Sequence, residues 1–513
     1  MNLLLQSNLK LKTAILRCQI AMIWVFFSIG FSTLAQRSYN ADQVKEDLKQ
    51  LKVELEKFHP DPYKYTNKAR FEHIYDSLSN TITGKYSLRD TYFTMLPLVQ
   101  AVQCGHTYLL PDRRLLSKGS VYSDRPKFFP FSVRLINDRM FVSRNYSSDK
   151  KLSRGTEIIA IDDQPIGKIM AQLDHISFYN GDGNNPQAKR YYSVREFRKL
   201  YYLWKGEQEF FEITYRRQGQ DKPKSTKIEA QSNDFMERML EARYPDVDED
   251  TTGIVSYRIV DSTQKVALVD VRSFMRDYSM YGKGNFEGET RKIFRRLEEN
   301  KIENLILDLR GNSGGLLEYS IFLMRYFAQQ PFVTCKIGFK EDGLQRIKDD
   351  YKKYDGYVAK EAASRLNMEF TIKKSDGFVE SKYYQERKYR PHEDFHFDKN
   401  VYVLMNGGTF SAAALLVSKL HNMGIGTYIG NTCGGAYDGC SAAQFSKIKL
   451  SNSELEISLP LGKINYEVDE QKYDKPVLKP DFEINTSLDD FINGEDTTLK
   501  FTLDLIKRKV RIR

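Results

Sequence analysis

The chain has 513 residues, of which 41% are hydrophobic and 28% are charged, with a formal net charge of +10. Since a single hydrophobic core stops growing at roughly 250–300 residues, we expect two or three domains. Aromatic residues make up 13% of the chain, which excludes a largely disordered protein. Lysine and arginine are interleaved with aspartate and glutamate, a pattern typical of a solvated surface, so we predict no nucleic-acid partner.

The first 35 residues have the pattern of a secretory signal peptide. A basic stretch at residues 10–17 precedes the apolar run at 20–31, and the small residues Thr33 and Ala35 stand where a signal peptidase would cut. An uncleaved membrane anchor is the alternative, but the run is shorter than the ~20 apolar residues that a bilayer requires. We therefore predict cleavage after Ala35, export to the periplasm or exterior of a bacterial cell, and no stable membrane insertion of the mature chain.

Four cysteines remain after that cleavage, namely Cys104, Cys335, Cys433 and Cys440. In an exported protein they permit disulfides, and Cys433 with Cys440 could close a small loop. Free buried thiols are an equally open alternative. The sequence contains no C-x-x-C pair and no histidine cluster with metal-ligand spacing, so we predict no metal site.

The mature chain is predicted to fold as three consecutive units. Residues 36–117 form an N-terminal helical region, because apolar residues recur there every three or four positions. Residues 118–235 carry short alternating runs separated by turn residues, which indicate a β-rich unit. Residues 250–495 alternate buried strands with helices, as in an α/β core. A polar insertion at 341–399 interrupts that core, either as a lid over a site or as a surface decoration.

Part of the β-rich unit resembles a PDZ domain. Residues 152–173, with the sequence LSRGTEIIAIDDQPIGKIMAQL, predict a strand, a tight turn and a helix in that order. PDZ domains bind an extended peptide by adding it as a strand to an exposed sheet edge. A packed β unit that binds no peptide is the alternative.

A glycine-rich turn, DLRGNSGG at residues 308–315, follows a predicted buried strand of the core. Gly311, Gly314 and Gly315 permit positive φ angles, and the N–H groups of such a turn can face an anion or an oxyanion. The segment matches neither a Walker A loop nor GxGxxG, so nucleotide binding is not indicated.

A second turn, NGGTFSAAA at residues 406–414, places Ser411 between the predicted strand VYVLM and an apolar helix. A nucleophilic serine is commonly exposed by such a strand-to-helix turn. Serine is also a common helix cap, and the local pattern leaves both interpretations open.

A serine nucleophile needs a base, which is usually a histidine. His106 follows Gly105 at the predicted end of a helix, in the sequence CGHT, and is the best candidate among the histidines.

DLRGNSGG followed by GGTFSAAA resembles the tail-specific, or C-terminal-processing, serine protease family. The resemblance covers most of the mature chain and implies a crotonase- or ClpP-like α/β spiral core preceded by the helical region and the PDZ-like domain. One branch of the family uses a lysine as the base, but Ala436 stands at that position and Lys419 lies along the nucleophile's own helix. The CGHT element is similar to the branch typified by the tricorn core protease, which implies His106 as general base and acid.

The resemblance also implies the other site residues. The backbone N–H groups of Gly314 and Ala412 would form the oxyanion hole. Asp474 would be the acid that orients the histidine, with Glu467 as the fallback. The family's hydroxyl residue before the histidine is replaced here by Gly105, which has no side chain to assist the imidazole.

These features predict an exported serine endopeptidase that forms an acyl-enzyme on Ser411 and requires no cofactor. Its partner would be a peptide or protein substrate, whose C-terminus the PDZ-like unit would recognise. A catalytically inactive peptide- or ligand-binding protein on the same fold is the alternative, suggested by Gly105. A crotonase-type acyl-CoA enzyme is a further alternative, which the secretion signal disfavours. The oligomeric state stays open.

Overall fold

The computed structural model describes residues 38–111, 115, 126–245, 254–275, 285–352, 370–374, 376–469, 471, 473 and 475–508. The predicted signal peptide, residues 1–35, lies outside these ranges. No helix within them has the length and apolar character needed to cross a membrane.

The described residues combine helices and strands along the whole chain. The helices are α1 (Ala41–Phe58), α2 (Lys68–Thr81), α3 (Leu88–Ala101), α4 (Ile166–Ile176), α5 (Pro186–Arg195), α6 (Phe197–Lys205), α7 (Asn233–Arg243), α8 (Phe286–Glu299), α9 (Leu317–Met324), α10 (Glu341–Tyr351), α11 (Lys382–Glu386), α12 (Ala412–Asn422), α13 (Leu488–Asn493) and α14 (Thr497–Lys507). The strands are β1 (Tyr39–Asn40), β2 (Lys85–Tyr86), β3 (Tyr108–Leu109), β4 (Lys127–Phe128), β5 (Phe131–Ile136), β6 (Arg139–Asn145), β7 (Glu157–Ile161), β8 (Gln164–Pro165), β9 (Phe210–Arg216), β10 (Lys224–Glu229), β11 (Gln231–Ser232), β12 (Val255–Asp261), β13 (Val266–Val271), β14 (Asn304–Asp308), β15 (Cys335–Lys340), β16 (Phe370–Lys373), β17 (Phe378–Ser381), β18 (Asn400–Met405), β19 (Thr427–Gly430), β20 (Gly439–Lys449), β21 (Glu456–Tyr466) and β22 (Phe482–Glu483).

The N-terminal region is helical, as its periodicity predicts. In α1 the apolar residues spaced three and four apart are buried, and Asn40 caps the helix in a reciprocal pair with Gln43. The helix ends two residues before Pro60, which cannot continue it. α3 leads directly into the turn that carries His106.

The β-rich unit contains an antiparallel sheet in the order β10-β9-β7-β6-β5, with β8 added to β7. β7, β8 and α4 form the predicted strand, turn and helix. β5 lies at the end of the sheet, and α5 and α6 pack against it. One edge of β5 is therefore unpaired within the described part of the chain.

The core holds a sheet in the order β12-β13-β14-β18-β19-β22, parallel from β13 onward. β14 and β18 are buried, since their apolar runs are covered on both faces. These strands are neighbours in register, with Asp308 opposite Leu404. Their carboxyl ends therefore lie side by side, and the two glycine-containing turns leave the sheet at the same edge.

A second sheet joins the N-terminal region to the core. Its order is β16-β17-β15-β21-β20, and β3 pairs with β21 through Tyr108 opposite Ser458. Because β3 begins two residues after His106, this pairing fixes the histidine against the core. β16 and β17 belong to the insertion at 341–399, so part of that insertion is integral to a sheet.

Candidate active site

Ser411 occupies a strained turn between β18 and α12. Its backbone angles are φ 56° and ψ −123°, a region that costs a non-glycine residue about 1–3 kcal/mol. Its hydroxyl makes no hydrogen bond to the first turn of α12, which contradicts the helix-cap interpretation. The turn instead presents the hydroxyl at the start of a helix, as in a nucleophile elbow.

Hydrogen bonds across the two turns hold this conformation. The side-chain oxygen of Asn406 accepts the N–H groups of Gly311 at 3.0 Å and Gly408 at 2.9 Å, one from each turn. The N–H of Phe410, just before Ser411, donates to the Asn312 carbonyl at 3.0 Å. The position of the serine is therefore set by both segments together.

The turn at 308–315 needs its glycines, as predicted. Gly311, Gly314 and Gly315 have φ values of 74°, 93° and 141°. A Cβ on Gly314 would lie 2.7 Å from the Ser411 Cβ, and one on Gly315 would lie 2.2 Å from the carbonyl carbon of Phe274. Glycine is what allows this turn to pack directly against the serine.

His106 lies beside Ser411, although 305 positions separate them in sequence. Its Nε2 is 3.0 Å from the Ser411 Oγ. The imidazole packs between the rings of Phe410 and Phe445, with ring-centroid distances of 4.5 and 5.9 Å. Burial lowers the pKa of His106 to about 4, so the ring is neutral near pH 7 and can accept a proton.

The glycine before His106 has a steric cause. A Cβ at Gly105 would lie 2.5 Å from Cζ of Phe410 and 2.9 Å from the Gly181 carbonyl carbon. The family's hydroxyl residue would have no room here, because the ring of Phe410 fills that space.

Neither predicted acid is found beside His106 in the described structure. Asp474 lies outside the described residues. The Glu467 carboxylate pairs with Lys336 Nζ at 2.8 Å, which counts against its orienting the histidine. The Nδ1 of His106 is buried and has no hydrogen-bond partner among the described residues.

A lysine base finds no support in the geometry. Lys419 is buried, and its Nζ donates to the backbone carbonyl of Glu467. Burial lowers the pKa of Lys419 to about 8. No hydrogen bond joins it to Ser411 within the part of the chain that the structure describes, in agreement with the sequence reasoning.

Of the two predicted oxyanion-hole donors, the N–H of Ala412 remains available among the described residues, whereas the N–H of Gly314 does not. The N–H of Gly314 donates to Oδ1 of Asn312 at 2.9 Å, so its hydrogen is already engaged within the turn. The N–H of Ala412 is the first in α12 and has no acceptor within the helix. The N–H of Phe274 donates to the Gly314 carbonyl, and the N–H of Leu316 donates to the Phe274 carbonyl. Gly315 lies between these two bonds of a parallel bridge, so its own N–H points away from Phe274 and can replace that of Gly314.

A cavity of about 760 Å³ opens over Ser411 and His106. Its wall is mainly apolar and aromatic, and the insertion contributes Phe370 and Tyr384 to it. The other apolar and aromatic lining residues are Tyr108, Tyr179, Tyr192, Met275, Leu316, Leu317, Ile337, Phe339, Phe410, Ala442, Ala443, Phe445 and Ile464. Such a wall suits a large apolar side chain beside the bond to be cleaved.

Asp182 is a site residue that the sequence reasoning missed. It is 1% exposed, and its carboxylate accepts the N–H of Gly105 at 2.9 Å and that of Ala436 at 3.3 Å. Burial raises the pKa of Asp182 to about 6. Its position between two glycines in NGDGNN is the one local signal, and it belongs to a different predicted unit from His106.

One group of described residues has the composition of a metal site. Cys104, His106 and Asp182 each offer one ligand-type atom, all within 4.8 Å of one another. Burial raises the pKa of Cys104 to about 12, so its thiol is not poised as a thiolate ligand. Both oxygens of Asp182 already accept backbone N–H groups, and we assign no metal here.

The cysteines that remain after the predicted cleavage are all free and buried. Cys433 and Cys440 therefore do not form the small loop that their spacing permits.

Two known protein-family models match this chain, one over the α/β core and one over the β-rich unit. Residues 265–484 match the model of peptidase family S41, and residues 125–246 match that of a PDZ domain. No protein with a curated function matches the chain in sequence.

Solved structures share the fold at low sequence identity. A mutant of CPAF is 14% identical, with a TM-score of 0.64 over 92% of this chain and 99% of that one. Mature CPAF complexed with lactacystin is 14% identical, with a TM-score of 0.62 over 91% and 98%. The predicted α/β core, with its N-terminal helical region and PDZ-like domain, is thereby confirmed. With a PDZ domain followed by a peptidase domain of family S41, the chain is a serine-type peptidase that has the domain arrangement of the tail-specific proteases.

Proposed function

We propose that the chain is an exported endopeptidase in which Ser411 is the nucleophile and His106 the general base. The observation that carries this proposal is the 3.0 Å contact between His106 Nε2 and Ser411 Oγ at the floor of a substrate-sized cavity. Export rests on the apolar run at residues 20–31 and the small residues that follow it.

The reaction would be acyl transfer in two stages. His106 Nε2 takes the proton of Ser411 Oγ as that oxygen attacks the peptide carbonyl. The N–H groups of Ala412 and Gly315 receive the negative oxygen, and His106 then donates the proton to the leaving amine. A water molecule, deprotonated by His106, releases the acyl group and restores the serine.

The PDZ domain supplies a place for the substrate's C-terminus. A cavity of about 420 Å³ lies along β5 and α5, next to the unpaired edge of β5. Arg134, Arg190, Arg195 and Arg198 line it, and none of its lining residues is acidic. A peptide added to β5 would bring a carboxylate to guanidinium groups that bind it well.

A fluorophosphonate probe tests the nucleophile and the base without knowledge of the natural substrate. The wild type should be labelled at Ser411, Ser411→Ala should not be labelled, and His106→Ala should react about 10³-fold more slowly. Ser418→Ala, on the same helix, and His73→Gln, at an exposed histidine, are controls that should match the wild type.

Two outcomes would redirect the proposal. A wild type that does not react at Ser411 would support the inactive binding protein on this fold. Labelling of His106→Ala at the wild-type rate would contradict His106 as the base and would favour a lysine base such as Lys419.

Recognition of C-termini is tested with two peptides that differ only in a free or amidated C-terminus. The free carboxylate should lower KM about tenfold, and Arg134→Gln should remove that difference. Arg238→Gln, at an exposed arginine that does not line the cavity, should leave it intact. Equal KM values for both peptides in the wild type would contradict C-terminal recognition.

A further inference from the structure

Only one of the two imidazole nitrogens of His106 has a hydrogen-bond partner among the described residues. Nε2 faces Ser411 at 3.0 Å, whereas Nδ1 is buried without a hydrogen-bond partner among the described residues. A histidine that accepts a proton at Nε2 carries its own proton on Nδ1, and that N–H is normally held by an acceptor. Gly105 and Glu467 do not provide one.

Asp182 places a carboxylate near the imidazole ring. One of its oxygens lies within 4.8 Å of a ring nitrogen of His106. This is longer than a direct hydrogen bond, but one water molecule can bridge two polar atoms about 4.5–5.5 Å apart. The same carboxylate binds the N–H of Gly105 at 2.9 Å, so it also fixes the backbone next to the histidine.

Asp182 has no cation of its own within the described structure. The nearest lysine that influences it, Lys64, donates to Asp438 at 2.9 Å and to the carbonyl of Gly439 at 3.0 Å. A buried carboxylate without a counter-ion is unfavourable, and such groups concentrate at functional sites. A positive charge formed on His106 during the reaction would supply the missing counter-ion.

We propose that Asp182 is the positioning residue of His106: it holds the histidine through the Gly105 backbone and stabilises the imidazolium that forms during acyl transfer. The proposal rests on the proposed function, because it concerns the same serine and histidine. It gives the PDZ domain a direct part in the peptidase site.

The ionisable groups around the pair set its pH dependence. Burial raises the pKa of Asp182 to about 6 and lowers that of His106 to about 4, so near pH 7 the carboxylate is charged and the imidazole neutral. The other ionisable groups that influence Asp182 or His106 are Lys64, Asp438, His59, Tyr65, Tyr192, Tyr466, Cys104, Cys433 and Cys440. Activity should therefore fall as pH decreases through about 6, because protonation of Asp182 removes its charge.

The test is the variant Asp182→Asn, which keeps the size of the side chain and removes its charge. We expect both kcat on a peptide and the labelling rate of Ser411 to fall about 100-fold or more, with KM changed less than about threefold. The acidic limb of the pH profile should move from about 6 toward about 4, where the histidine itself titrates.

Asp47→Asn is the matched control. Asp47, in α1, is also fully buried, and its carboxylate accepts the N–H groups of Asn452 at 2.9 Å and Ser453 at 2.8 Å from the turn between β20 and β21. This variant should retain the wild-type pH profile, whatever it does to the melting temperature.

Three results would overturn the inference. The first is a kcat and an acidic limb of the pH profile in Asp182→Asn that both match the wild type. The second is an equal loss of kcat in Asp182→Asn and Asp47→Asn. Stoichiometric zinc in the purified wild type, with an equal loss in Cys104→Ser, would make the cluster a metal site instead. Failure of the proposed function looks different, since the wild type would then show no labelling at Ser411.

Discussion

Gly105 and Phe410 divide the space beside His106 between them. The ring of Phe410 lies at 4.5 Å from the imidazole, centroid to centroid, and occupies the volume that a side chain at position 105 would need. The ring of Phe410 therefore takes the space of the absent hydroxyl and packs against the histidine.

Gly105→Ala should damage the site, because the new methyl would meet both a ring and a backbone carbon closer than 3 Å. We expect kcat to fall at least about tenfold and the free energy of unfolding to drop by about 1–3 kcal/mol. Gly167→Ala, in α4 with open space around it, is the control: it should leave kcat unchanged and should not lower the free energy of unfolding. Wild-type kcat in Gly105→Ala would show that Phe410 yields readily.

At this scale the sequence predicts the proposed nucleophile and base, which the structure brings together, but not the groups around them. Ser411 and His106 stand in short motifs with characteristic neighbours, so local pattern and family resemblance find them. Asp182 acts on Gly105, which lies 77 positions away, and the engagement of the Gly314 N–H depends on one Asn312 rotamer. Contacts of this kind leave no periodicity or spacing in a sequence.

Among the elements outside the peptidase core, α5 packs directly against the candidate site. Its Tyr191 ring would meet a Cβ on Gly408 at 2.5 Å, and its hydroxyl would meet one on Gly311 at 2.7 Å. A helix of the PDZ domain thus rests on both turns that form the peptidase site.

Gly408→Ala should press the Tyr191 ring against the serine turn. We expect kcat to fall at least about tenfold, with part of that loss restored in the double variant Gly408→Ala/Tyr191→Ala. The measurement is a double-mutant cycle in kcat, with Tyr191→Ala alone as the third member. Strictly additive losses would show that the tyrosine and the glycine act independently.

The insertion forms part of the cavity wall through Phe370 and Tyr384, and the Tyr384 hydroxyl donates to Glu318 at 3.0 Å. Its polar composition predicted either a lid or a decoration, and a sheet-forming wall was not foreseen. The reason is that β16 and β17 are only four residues each, and they join the sheet through β17 alone, which pairs with β15 outside the insertion.

Phe370→Ala should lower kcat/KM about tenfold for peptides with a large apolar residue at the cleaved bond, since the cavity loses an apolar contact. Labelling by a small fluorophosphonate should be unchanged, because Ser411 and His106 are untouched. Slower labelling would mean that the insertion supports the catalytic pair as well as the substrate.

For the molecule as a whole, the order and type of units follow from the sequence, because long stretches share one periodicity. The strand, turn and helix of the PDZ domain and the buried strands of the core were all predicted. The docking of β3 on β21 was not, since two-residue strands carry no pattern. That small pairing is what brings the N-terminal histidine to the core.

Stability should decrease below about pH 6.5 because two buried histidines must stay neutral. Burial, with Lys340 nearby, lowers the pKa of His59 to about 3, and burial lowers that of His106 to about 4. Each folded-state pKa lies below the ordinary value of about 6.5. The neutral form of each histidine therefore makes its full contribution to the free energy of unfolding above about pH 6.5. Below about pH 6.5, and down to its folded-state pKa, each histidine lowers the free energy of unfolding by about 1.4 kcal/mol per pH unit.

Asp182 opposes this trend, because its raised pKa makes its own contribution larger at lower pH. We expect a net loss of about 2 kcal/mol between pH 7 and 5, measured by urea unfolding. His59→Gln, in which a single such histidine still opposes Asp182, should lose only about 0.5 kcal/mol. The exposed-site control His73→Gln should behave as the wild type. An unchanged free energy of unfolding in the wild type over this range would contradict the burial argument.

The stretch from residue 177 to 195 carries Asp182 and α5 and lies within the PDZ domain. It contacts the backbone of Gly105, next to His106, and both glycine-containing turns. The enzyme is therefore not modular in the way that its two family matches suggest. A chimera that exchanged the PDZ domain for a relative's would replace Asp182 along with the cavity that lies along β5. Engineers who wish to change what the protease recognises should keep this stretch and exchange only the sheet.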